Sequence, residues 1–146
     1  MDNKLVDGKN RLLVIEDNPA DVDLLRRALA SAQLDCQLTV IDDGAVALAL
    51  FRESAATPVP DLAIVDLNLP KHSGLEIIER MRSNPRFAAV PVVIMSSSSS
   101  PNDRSKMEKF QVAQYIVKPA DLDEFMRIGW RIRELLPESK TQEQVL

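Results

Sequence analysis

The chain has 146 residues, of which 45% are hydrophobic and 27% charged, with a formal net charge of −4; this suits one soluble domain with its own core. The only cysteine, Cys36, and the only histidine, His72, exclude a disulfide framework and a cysteine or histidine metal cluster, and they count against a Ser-His-Asp triad. There is no Lys/Arg block to bind nucleic acid, no apolar run near the ~18 residues that span a membrane, and no signal-peptide apolar region in Met1 to Asn10, so an acidic cytoplasmic protein is expected.

Residues 1–10 read as a polar lead-in, 11–137 as the folded domain and 138–146 as a polar tail. Leu12 to Ile15 is a buried strand ending at Glu16-Asp17. Asn18 is then a helix N-cap, with Pro19 at the first helical position and Asp21 in the first turn. Leu25, Ala28, Leu29 and Ala32 follow at helical spacing. Cys36 to Ile41 alternates apolar residues with Gln37 and Thr39, as an edge strand does, and Cys36 is expected to be buried in it. Asp42-Asp43-Gly44 is a turn, and Ala45 to about Ser54 a second helix.

Asp61 to Asp66 is an apolar run ending on a carboxylate, the pattern of a strand covered on both faces. Ser73-Gly74-Leu75-Glu76 is a capping box, in which Glu76 reaches back to Ser73; the helix it starts turns Leu75, Ile78 and Met81 inward and stops before Pro85. Val92 to Met95 is a fourth strand. The serine run 96–100 is too short for a linker and reads as a mobile loop leaving the sheet. Asn102 to about Gln111 is a weakly amphipathic helix through Met107 and Phe110. Tyr115 to Val117 is a fifth strand ending at Lys118-Pro119, and Leu122 to Leu136 the last helix, with Leu122, Phe125, Gly129, Ile132 and Leu136 as its inward stripe.

Five strands alternating with five helices predict an α/β fold with a doubly wound parallel sheet. The order 2-1-3-4-5 suits the polar second strand, which then lies at an edge. Strands one and three become neighbours, so Glu16, Asp17 and Asp66 converge, with Ser96 and Lys118 on the same rim. Crowded carboxylates repel one another and call for a cation, and oxygen ligands favour magnesium. An Asp beside that metal can attack an activated phosphoryl group, whose negative charge Lys118 and the Ser96 hydroxyl can then meet. Taken singly, each residue has an ordinary explanation: a turn-starting Asp, a solvated strand-end Lys, a loop Ser.

The combination of Glu16-Asp17, Asp66, Asn68, Lys71, Gly74, Ser96, Tyr115 and Lys118-Pro119 resembles the response-regulator receiver domain, the CheY-like fold of two-component signalling, over about Arg11 to Leu136. The resemblance implies that Asp66 is the phosphoacceptor, acting with Lys118 and Ser96. It also implies that Asp17, Asp66 and the backbone carbonyl of Asn68 hold Mg2+ while Glu16 acts through water, that Lys118–Pro119 is cis, and that Ser96 and Tyr115 form the switch. Such a protein catalyses only its own phosphorylation and dephosphorylation, so it is not otherwise an enzyme. Its implied donor is a sensor histidine kinase.

Ile15 to Asp21, together with Tyr115 to Pro119 and Asp121-Leu122, is similar to the single-domain regulators of bacterial phytochrome kinases. Leu146 lies ten residues past Leu136, so the expected output is a contact with a downstream protein, or onward transfer of phosphate in a relay. Met126 and Trp130 lie beside the stripe of the last helix. They either extend its core contact or join Tyr115 in an exposed interface for a partner or a second copy. Two competitors are weighed. A haloacid-dehalogenase-type phosphatase needs an acid/base Asp where Asn68 stands. A flavodoxin-type module needs a phosphate-cradling loop where Glu16-Asp17 would repel phosphate.

Overall fold

The computed structural model describes residues 9–53, 58–97 and 101–137. The expectations for the serine run at 98–100, for most of the lead-in and for the tail from 138 fall outside those residues. The elements are β1 (Asn10–Ile15), α1 (Pro19–Ser31), β2 (Cys36–Ile41), α2 (Gly44–Glu53), β3 (Leu62–Asp66), α3 (Gly74–Ser83), β4 (Val92–Ser96), α4 (Pro101–Glu108), β5 (Gln114–Val117) and α5 (Leu122–Leu135). The strands form one sheet in the order β2-β1-β3-β4-β5, every neighbouring pair parallel. Asn10, expected in the lead-in, is the first residue of β1 and is paired with Cys36.

The central strands β3 and β4 are buried along their whole length, because helices cover both faces. The edge strand β2 alternates between half-buried and exposed residues, and Cys36 is half-buried rather than enclosed. Alternate strand residues feed two cores. Leu13, Ile15, Val65 and Ile94 meet α2 and α3, while Leu12, Val14, Val93, Met95 and Ile116 meet α1 and α5. Among the described residues no helix is long and apolar enough to cross a membrane.

Local chemistry sets the helix starts. The Asn18 side chain accepts from the backbone N–H of Ala20, and Pro19 opens α1. The Ser73 hydroxyl accepts from Glu76 N–H at 3.2 Å. The Glu76 carboxylate lies 3.2 Å from His72 Nδ1, where the capping box had it returning to Ser73. Two inward stripes are also corrected. On α3, Ile77 is buried and Leu75 only partly so; on α5, Ile128 is buried while Leu122, in the first turn, is 55% exposed. Helix α5 reaches over the sheet only past its first turn, and a 3.6-residue period read from the sequence does not locate that point.

Helices α5 and α1 approach each other closely at Gly129. A Cβ on Gly129 would lie 2.0 Å from the carbonyl oxygen of Ala28, so only glycine lets the two helices meet there. Helix α1 ends in a Schellman motif. Leu34 N–H donates to Leu29 O, Gln33 N–H donates to Ala30 O, and Gln33 adopts φ 58°. Arg133 of α5 donates to the carbonyls of Ala32 and Gln33, which supports that turn.

Candidate functional site

The carboxyl ends of β1, β3, β4 and β5 open on one rim. Register alone brings Glu16-Asp17 beside Asp66, since Ile15, the last residue of β1, pairs with Val65, and Glu16 follows it level with Asp66, the last residue of β3. Glu16 and Asp66 are buried, at 7% and 5% exposure, and Asp17 is half-buried. One carboxylate oxygen from each of the three lies within 4.8 Å of the others. All the donors are hard oxygens, and three negative charges crowd a small volume, so the set fits a divalent cation.

Lys118 reaches two carboxylates of this group and a third, Asp21, outside it. Its Nζ donates to Asp21 Oδ2 at 2.8 Å, to Glu16 Oε1 at 2.9 Å and to Asp66 Oδ2 at 3.2 Å. Burial lowers the lysine pKa, but its hydrogen bonds to Asp21 and Glu16 and the charges of Asp66 and Glu16 outweigh it, so Lys118 is held above the ordinary lysine range. Burial pushes the Glu16 carboxyl up from 4.5 to about 7, with Asp66 adding to the rise and Lys118 opposing it. Glu16 is thus short of compensating charge even with the lysine beside it.

Asp66 Oδ1 accepts from the backbone N–H of Asn68 at 3.0 Å, an Asx turn that starts the β3–α3 loop. Asn68 Nδ2 donates to the hydroxyls of Ser96, at 3.2 Å, and of Ser97, at 3.3 Å. Ser96 is fully buried at the end of β4, and its carbonyl accepts from Lys118 N–H at 2.7 Å. Gly74 closes the loop. Its N–H donates to Leu67 O at 3.1 Å, and a Cβ there would lie 2.6 Å from Asp66 O. No cis peptide bond occurs among the described residues, so Lys118–Pro119 is trans where the family resemblance implied cis. An X–Pro bond favours trans by only ~0.5–1 kcal/mol, so the sequence leaves the isomer open.

Glu16, Asp17, Asp66, Asn68, Ser96 and Lys118 are therefore brought together. Tyr115, Met126 and Trp130 are not. The Tyr115 ring packs on the α2–α3 side of the sheet, with the Arg104 guanidinium 5.1 Å from its centroid. Met126 packs on the α1–α5 core. Trp130, 49% exposed, lies 5.5 Å from the Arg133 guanidinium, which bonds the end of α1, whereas Arg131 turns the other way to Gln114 of β5. Trp130 thus lies on the exposed side of α5, between the face that meets α1 and the one that reaches β5. The residue missed from sequence is Asp21, read only as a first-turn acid. Its position one turn past the Asn18 cap places it over the strand ends, and that spacing was the available signal.

A parallel sheet in this order, with a carboxylate cluster and a half-buried lysine at the mouth of its central strands, defines a receiver-type signalling domain. The chain belongs to the response regulator receiver family, whose domain model matches residues 12–128. It is 29% identical over 133 residues to the response regulator Rcp1 of Synechocystis, covering 89% of this chain and 90% of that protein. The structure of the phosphorylated cyanobacterial phytochrome response regulator RcpA superposes with a TM-score of 0.79 at 32% identity, covering 90% of this chain and 96% of that one. The Mn2+-bound form of Rcp1 superposes with a TM-score of 0.77 at 28% identity, covering 88% and 99%. The phosphatase alternative gains no support, and the position it needs as an acid is an amide tied to two serine hydroxyls.

Proposed function

We propose that the chain works as a single-domain response regulator that takes a phosphoryl group from a sensor histidine kinase onto Asp66 and changes a protein-contact surface in response. The observation that carries this reading is Asp66 itself: a buried carboxylate at the carboxyl end of the central strand, 3.2 Å from a lysine ammonium and within a cluster able to hold a cation. Glu16, Asp17, Asp66 and the backbone carbonyl of Asn68 would hold Mg2+, which when bound neutralises charge on the transferring group. An Asp66 oxygen attacks phosphorus; the P–O bond forms as the P–N bond to the kinase histidine breaks, and the departing imidazole takes up a proton. Lys118 and the Ser96 hydroxyl face the new phosphoryl oxygens.

The likeness to Rcp1 and RcpA over nearly their whole length supports a phytochrome-type kinase as donor. Ser96 supports a switch, because its hydroxyl, which accepts from Asn68, can turn its own hydrogen towards a phosphoryl oxygen. The end of β4 is drawn inward, and α4 and Tyr115 respond. Incubation with Mg2+ and acetyl phosphate, followed by intact mass, tests the reading. One base-labile phosphoryl group is expected on the parent and none on Asp66→Asn; undiminished labelling of the variant defeats it.

A further inference from the structure

Lys118 has three N–H donors, and each meets a different carboxylate. Two of those, Glu16 and Asp66, belong to the group whose oxygens cluster within 4.8 Å, as a metal site requires; Asp21 does not. A divalent cation entering that cluster competes for the oxygens the lysine now uses and repels the ammonium. Without another holder, Lys118 must either exclude the cation or leave the site. Asp21 makes the shortest of the three contacts, and no other cation is paired with it among the described residues.

The placement of Asp21 is fixed by the backbone rather than by the lysine. Asn18 and Pro19 set the start of α1, which brings the first-turn residue Asp21 over the end of β1, where the positive end of the helix dipole favours a carboxylate. The Lys118 and Asp21 side chains are only 15% and 23% exposed, so this pair is screened less than a surface ion pair.

We propose that Asp21 is a positioning residue for Lys118: it holds the ammonium on the α1 side of the acidic rim, so that a divalent cation can enter among Glu16, Asp17 and Asp66 while the lysine stays in reach of the phosphoryl group. The proposal rests on the reading of Asp66 as phosphoacceptor and adds a residue to it. When Asp21 is lost, Lys118 leans wholly on Glu16 and Asp66 and occupies the space the cation needs.

The test is a double-mutant cycle on the unphosphorylated protein, with Mg2+ affinity measured by calorimetry for the parent, Asp21→Asn, Lys118→Met and the double variant. Asp21→Asn is expected to weaken Mg2+ about fivefold when Lys118 is present and no more than about twofold when it is Met, the second figure being the plain loss of a nearby charge. Equal losses in both backgrounds, or no cation binding by the parent, overturn the proposal. A second measurement needs no substitution. In the parent, the Lys118 ammonium protons, followed by nitrogen-15 NMR, are expected to stay protected from water exchange when Mg2+ is added; their loss on Mg2+ addition overturns the proposal even if Asp21→Asn fails to fold. Acetyl phosphate labelling is run alongside. Absent labelling with an intact cycle defeats the phosphoacceptor reading alone, and labelling with equal losses defeats the role of Asp21 alone.

Discussion

Helices α5 and α4 flank the same edge strand, β5, yet they are held in different ways. Helix α5 buries Phe125, Ile128, Gly129 and Ile132, meets α1 backbone to backbone at Gly129, and clasps the end of α1 through Arg133. Among the described side chains of α4 only Met107 is buried. Its other ties are the Arg104 guanidinium over Tyr115 and the bond from Arg82 Nε to Phe110 O, at 2.9 Å, just past its carboxyl end. Burial of apolar area supplies most of the attachment of a helix, so α5 forms part of the rigid frame and α4, by its described side chains, is held by less buried area. Ser96 ends β4, the strand that precedes α4 in the chain. A shift at Ser96 therefore bears on the less deeply packed of the two helices, while the α1–α5 pair that carries Asp21 and borders Lys118 is the more firmly packed.

The largest expected effect comes from breaking the firm side. Gly129→Ala gains about 1 kcal/mol of helix propensity but places a methyl group against the Ala28 carbonyl, where the helices must separate. A net loss of about 2–3 kcal/mol is expected in chemical denaturation, with amide exchange rising in α1 and α5 together. Unchanged stability would mean that the contact relaxes freely and that α5 is no firmer than α4.

The loose side responds less strongly, and locally. Arg82 also donates from Nη1 to Ala88 O at 3.0 Å and to Val90 O at 2.8 Å, so it ties the end of α4 to the segment entering β4. Arg82→Met leaves three carbonyls without this donor and is expected to cost about 1–2 kcal/mol. Exchange should rise in α4 and the turn after it, and stay at parent levels in α5. Equal rises in both helices would erase the distinction drawn here. Arg104→Gln removes an exposed cation–π contact worth about 0.5 kcal/mol. It should leave global stability nearly unchanged and show only as faster motion of the Tyr115 ring in NMR; a ring unaffected by the change would place the control of Tyr115 elsewhere.

These differences between helices were only partly readable in the chain. The central strands were legible because buried parallel strands are short, uninterrupted apolar runs, as in Val92–Met95, and the edge strand Cys36–Ile41 because its apolar residues alternate with polar ones. The order of the sheet followed from the polarity of Gln37 and Thr39. The α5 stripe was misplaced at its first turn, and Leu122 proved exposed, because periodicity gives the direction of a face but not how far along the helix the core extends. Periodicity left open whether Met126 and Trp130 extend the core contact or join Tyr115 in an exposed face; Met126 packs partly on the core while Trp130 is largely exposed, a division decided only once the neighbours of the helix are known.

By itself the sequence determined the alternation of strands and helices, the edge position of β2, and the meeting of Glu16, Asp17, Asp66, Ser96 and Lys118 on one rim, because a parallel sheet brings all its strand ends to the same side. Only the tertiary structure decided what Lys118 does there. Whether its ammonium reaches Asp66 alone or also Glu16 and Asp21 depends on distances of a few ångströms between β5, β1 and the first turn of α1, elements far apart in the chain. The same holds for Gly129, whose need for a missing side chain arises from a carbonyl on another helix, 101 positions earlier at Ala28, and no local pattern encodes that contact.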